Sequence, residues 1–115
     1  MASGKWGIQI REASVGRDSL FVVTGGEAHI GSVATAYFSE TAKEVETQTI
    51  DVPGHREHEL AAGMAKRASH LLRRTVTVAA GIHYDGISRD DIAEIVAEAD
   101  SAFDEYLATM LGKVD

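Results

Sequence analysis

The sequence predicts an α+β domain, a mainly antiparallel sheet of five to six strands with two helices packed on one face. Three observations carry this expectation. Apolar residues alternate with polar ones through the first half of the chain, at the period of two that marks half-buried strands. After Pro53-Gly54 the spacing changes to the three-and-four rhythm of a helix. The last third closes with a long stretch whose apolar and acidic residues separate onto opposite faces. A chain of 115 residues encloses one modest core, so the expectation is a single domain over 1–115.

The elements follow in order. Trp6, Ile8 and Ile10 alternate with Gly7, Gln9 and Arg11, giving a first strand. Gly16-Arg17-Asp18-Ser19 reads as a turn, and Leu20 to Val23 as a second, more buried strand. Gly25-Gly26 suits a hairpin turn into a third strand from about Ala28 to Phe38. That strand is rich in small residues (Gly31, Ser32, Ala34, Ala36). Val45 to Val52 carries β-branched residues and makes a fourth strand that Pro53-Gly54 ends.

A first helix opens at Arg56 or Glu57 and lasts to about Arg74, with Leu60, Met64, Ala68, Leu71 and Leu72 on one face. Val76, Val78, Ala80 and Ile82 alternate, so Thr75 to Tyr84 is a fifth strand ending in the turn Asp85-Gly86. Ser88 caps the last helix, and Asp90 and Asp91 favour its positive end. Ile92, Ile95, Val96, Ala99, Phe103, Tyr106, Leu107 and Met110 form its apolar face, with Glu94, Glu98, Asp104 and Glu105 opposite; Gly112 ends it.

Composition removes several function classes. The net charge of -7 argues against nucleic acid, which a protein grips by displacing counterions with cations. The basic group Lys66, Arg67, Arg73 and Arg74 lacks interleaved aromatic residues. With no cysteine, there is no disulfide framework, thiolate metal site or cysteine nucleophile. Met1 to Trp6 lacks the basic-then-apolar pattern of a signal peptide, and no apolar run approaches the ~20 residues that cross a bilayer. The expectation is therefore a cytoplasmic protein without membrane contact. Gly25-Gly26 lacks the rest of a nucleotide-binding glycine loop, and no GxSxG elbow is present.

Chemistry concentrates on histidines. His29 shares a strand face with Gly31, and His83 with Gly81, so each imidazole stands beside a position without a side chain. Such a pair either forms slots for a planar guest or marks bulges with edge histidines. The segment Val52-Pro53-Gly54-His55-Arg56-Glu57 ends a strand and opens a helix, whose free N–H groups and Arg56 suit a phosphate or carboxylate; an ordinary turn would read the same. His58 and His70 fall on solvated faces. A second reading gathers His29, His55 and His83 with Glu27, Glu57 or Asp85 around a metal, although no HExxH spacing supports it.

Three segments, Gly25-Gly26-Glu27-Ala28-His29-Ile30-Gly31, Pro53-Gly54-His55-Arg56-Glu57 and Gly81-Ile82-His83-Tyr84-Asp85-Gly86-Ile87, occur in one order and spacing. Together they resemble the prenylated-flavin chaperone family, the LpdD-like proteins, encoded beside UbiD-type decarboxylases and UbiX-type flavin prenyltransferases. The resemblance runs from about Trp6 into the last helix and implies a fold like that of proteasome assembly chaperones. It implies a non-catalytic accessory protein that binds reduced prenylated FMN and supports its delivery to, or maturation in, a UbiD-type decarboxylase. The residues that match its motifs are His29, Gly31, His55, Arg56, His83, Tyr84 and Asp85. On that reading the histidine–glycine slots take the ring system and the Gly54–Arg56 helix start takes the phosphate. His58 departs from the family, where an acidic residue is more usual.

Two alternatives stay open: a histidine-site metal protein or enzyme, and a structural assembly factor that docks through its long last helix. Exposed sheet edges in so small a domain favour a homodimer, with a site shared between subunits.

Overall fold

The computed structural model describes residues 4–54 and 58–112. Five strands and two helices follow in the order β1 (Gln9–Val15), β2 (Asp18–Gly26), β3 (Ser32–Ser39), β4 (Glu44–Asp51), α1 (His58–Leu72), β5 (Val76–His83) and α2 (Arg89–Gly112). They form one sheet in the order β1-β2-β5-β3-β4. Only the β2–β5 pair is parallel; β1–β2, β3–β4 and β3–β5 are antiparallel. The class is α+β, as the alternation of strand and helix patterns predicts.

The topology corrects one local expectation. Gly25-Gly26 is not a hairpin turn. Both residues lie in β2 and pair with Ile82 and His83 of β5, which enters between β2 and β3. β5 takes the central place because its residues are small or β-branched and wholly covered on one face, at Val76, Val78 and Ala80. A strand of that kind is most stable with neighbours on both edges. The third strand consequently starts at Ser32 rather than Ala28, and residues 28–31 form a link that climbs from β2 over the end of β5.

Both helices cover the same face. Ile8, Ile10, Phe21, Val23, Ala34, Ala36, Val78 and Ala80 of the strands and their approaches meet Ala61, Met64, Ala65 and Ala68 of α1 and Ile95, Ala99, Phe103 and Leu107 of α2 in one core. Phe21 and Phe103 meet edge to face, ring centres 5.1 Å apart, and Tyr106 adds a second such contact at 6.0 Å. Aromatic pairs in this geometry stabilise by about 0.5–1.5 kcal/mol beyond the area they bury. The alanine face of α1 lies over the small residues of β3, which lets that helix approach the sheet closely. α1 ends through Arg73, whose positive φ of 54° closes a hydrogen bond of 2.9 Å from its N–H to the Ser69 carbonyl. Ser88 and Asp91 cap α2 reciprocally, each backbone N–H donating to the other's side chain at 3.1 Å.

Glu98 departs from its expected place on the solvated face of α2. Its carboxylate accepts the N–H groups of Trp6, at 3.0 Å, and Ile8, at 3.2 Å, and so anchors the approach to β1. Among the described residues no helix covers the other sheet face. Val22, Thr24, Val33, Thr35, Thr77 and Ala79 lie there half-buried, and Ile50 is 76% exposed. Among the described residues no helix is long and apolar enough to cross a membrane.

Candidate functional site

One end of the sheet collects the histidine segments. β2 and β5 run parallel, so both finish there, at Gly26 and His83. β3 starts at the same end and β4 finishes at it, with Ser32 opposite Asp51. Val52 donates its N–H to the Gly31 carbonyl at 2.8 Å, which keeps the exit from β4 beside the 28–31 link. His55 and Arg56, two of the candidate anion-binding residues, lie outside the described residues, as does Glu57.

His29 and His83 come together. Their ring centroids are 6.4 Å apart and their planes nearly perpendicular, at 85°. His29 does not project from a strand, as its sequence context predicts. It belongs to the link, and its main chain lies directly against Gly81; a Cβ at that glycine would fall inside the His29 carbonyl. The bare backbone beside His83 is thus covered by the chain's own main chain. Gly31 is buried, with its N–H donated to Ala80 at 2.9 Å and its carbonyl accepting Val52. Both glycines serve close approach of the link to the sheet.

The polar atoms around the two rings are ordered. His29 Nδ1 lies 3.1 Å from the Glu27 carbonyl, so that nitrogen carries the proton in this contact. His83 Nε2 lies 2.9 Å from Asp85 Oδ1. The Glu27 N–H donates to the His83 carbonyl at 2.9 Å. A ligand atom from each of Glu27, His83 and Asp85 falls within 4.8 Å of the others, and all three residues are exposed. Of the residues in the metal reading (His29, His55 and His83 with Glu27, Glu57 or Asp85), the grouping among the described residues contains His83, Glu27 and Asp85, with the His29 ring beside His83; His55 and Glu57 lie outside the described residues.

Tyr84 faces the other way. Its hydroxyl donates to the Trp6 carbonyl, its ring meets Trp6 edge-on at 5.1 Å, and it covers Gly25 and Gly26. Loss of solvent raises the Tyr84 phenol above its usual value, the Glu98 charge adds to this, and a backbone hydrogen bond opposes it. Its visible role is to hold the end of β2 against the approach to β1.

His58, expected to be solvated, has a partner. Its Nδ1 lies 2.7 Å from Asp51 Oδ2, and Ser32 donates its hydroxyl to Asp51 Oδ1 at 2.6 Å. The Ser32 bond chiefly holds the Asp51 carboxyl below its ordinary 3.8; desolvation opposes that shift and His58 reinforces it. This row is not a nucleophile relay, because the carboxylate stands between hydroxyl and imidazole and His58 cannot take the serine proton. No sequence signal foretold the pair, since register and helix start bring positions 32, 51 and 58 together.

The molecule is thus a small α+β domain with a histidine and carboxylate cluster at one sheet end. Its residues 2–111 match the model of the prenylated flavin chaperone LpdD-like domain. The chain belongs to this family. It is 38% identical over 80 residues to Protein LpdD of Lactiplantibacillus plantarum, an alignment covering 69% of this chain and 59% of that protein.

Proposed function

We propose that this protein is a non-catalytic accessory protein of the cytoplasm that binds reduced prenylated FMN. On this reading it passes the cofactor to, or matures it in, a UbiD-type decarboxylase, after a UbiX-type flavin prenyltransferase has made it. Family membership supports the chaperone role. The observation that carries the site is the approach of His29 and His83, from two of the motif segments, to 6.4 Å at one sheet end.

The residues fit such a guest chemically. Two imidazole edges offer hydrogen bonds to ring nitrogens and carbonyls, and Ile30, 61% exposed, offers apolar surface to a prenyl-modified ring. Glu27 and Asp85 would repel a phosphate at His83. The phosphate is therefore assigned to the Gly54, His55 and Arg56 segment, as the motif match implies, with Arg56 supplying charge, and the ring system to His29, Gly31, His83, Tyr84 and Asp85. Gly31 and Tyr84 act there through the backbone they hold. When bound, the flavin would supply the reactive ring system for the decarboxylase; the protein's own residues would grip and shield it.

The open sheet face, with Val22, Val33, Ala79 and Ile50, supports a homodimer. Analytical ultracentrifugation at low ionic strength measures it: a single 12.3 kDa species would contradict the dimer.

The binding test mixes protein with reduced prenylated FMN under anaerobic conditions, followed by gel filtration and visible spectroscopy. Wild-type protein should carry the flavin through the column, and His29→Ala and His83→Ala should release it. Loaded protein should then activate an apo-decarboxylase faster than free cofactor does. A wild-type protein that retains no flavin overturns the proposal.

A further inference from the structure

We infer that Glu27, His83 and Asp85 form a binding site for one divalent first-row transition cation, of the Zn²⁺, Co²⁺ or Mn²⁺ class. The inference goes beyond flavin binding and does not depend on it. Three features carry it: the donor set, the spacing and the scaffold.

The donors are one imidazole and two carboxylates. That mixture suits transition ions, whereas an all-oxygen set would suit Ca²⁺ or Mg²⁺. The spacing is close to what a metal requires. Donors bound at about 2.1 Å lie about 3.0–3.4 Å from one another in octahedral or tetrahedral geometry. His83 Nε2 and Asp85 Oδ1 already stand 2.9 Å apart. All three ligand atoms fall within 4.8 Å of one another, and the Glu27 side chain is exposed, so it has room to turn toward an ion. A cation would replace the proton that joins His83 to Asp85.

The scaffold holds two ligands in place before any ion arrives. The Glu27 N–H is bonded to the His83 carbonyl at 2.9 Å. Gly26, at φ 66°, permits that approach, because a Cβ there would collide with the same carbonyl. Asp85 follows two residues after His83 in the turn that leaves β5. Two carboxylates beside one imidazole make a donor set whose oxygens can offset the charge of a divalent ion. Ligation from one side leaves coordination positions open to water or to an anionic guest.

The test uses untagged, flavin-free protein titrated calorimetrically with Zn²⁺, and separately with Co²⁺ while the visible spectrum is recorded. One ion per chain should bind saturably, and Co²⁺ should develop d–d bands of nitrogen–oxygen ligation. His83→Ala and Glu27→Gln should each weaken binding at least tenfold. His58→Ala, which removes the other histidine–carboxylate pair, should leave it unchanged. Circular dichroism shows whether each variant is folded, and Glu27→Gln keeps the side-chain volume should His83→Ala misfold. Absence of saturable binding, or equal affinity in wild type and both ligand variants, overturns the site. Flavin retention is measured on a separate sample, so a failed metal site and a failed flavin site give different results.

Discussion

The main chain of His29 rests on Gly81, and this contact sets the position of the imidazole at 29 relative to that at 83. The glycine is required because no side chain fits between the link and β5.

Gly81→Ala should therefore lift the 28–31 link from the sheet. Overpacking of this kind costs typically 1–3 kcal/mol, and here the neighbour is backbone, which yields least. Thermal unfolding should show a lowered Tm. NMR should show shifts at His29, Gly31 and Val52 larger than those in α2. Unchanged stability would mean that the link does not lie where the structure has it.

Glu98 offers a second test, since one carboxylate serves two backbone N–H groups across about ninety residues of sequence. Glu98→Ala should cost about 1–3 kcal/mol, the range for leaving donors without partners. Amide exchange at Trp6 and Ile8 should accelerate. Glu98→Gln keeps an acceptor oxygen and should lose less.

The Phe21–Phe103 contact joins β2 to α2 through two wholly buried rings. Phe103→Ala should destabilise by about 3–5 kcal/mol, measured by urea unfolding. Phe103→Leu should lose a smaller amount, because part of the volume remains.

Asp51 predicts a pH dependence. Its carboxyl is lowered from 3.8 in the folded protein, so the folded state holds the proton less tightly than the unfolded chain. The associated stability is present above 3.8 and disappears as pH falls through the folded-state value. Ser32→Ala removes the main cause of the shift. The stability difference between wild type and variant should narrow in acid, and a carboxyl titration by NMR should move Asp51 back toward 3.8.

Strand alternation and helical spacing made most of the fold legible: seven elements, the cap at Ser88, and the apolar face of α2 at Ile95, Ala99, Phe103 and Leu107. Periodicity reports which face of an element is buried, but not which strand lies beside which. The place of β5 between β2 and β3 therefore could not be read, and with it went the hairpin expected at Gly25-Gly26 and the strand expected at His29. The helix start set a similar limit at His58, whose wheel position says nothing of Asp51 on the neighbouring strand.

Residue type and local order alone determined that the chain would carry an α+β core, lack thiol chemistry, and hold three of its five imidazoles in glycine-bearing segments. Tertiary structure decided that two of those imidazoles meet, that the glycines beside them are spent on close backbone contact, and that Glu27 joins His83 and Asp85. The reason is physical: local preferences act over a few residues, whereas the parallel pairing of β2 with β5 brings together positions more than fifty residues apart, and only the packed sheet specifies that pairing.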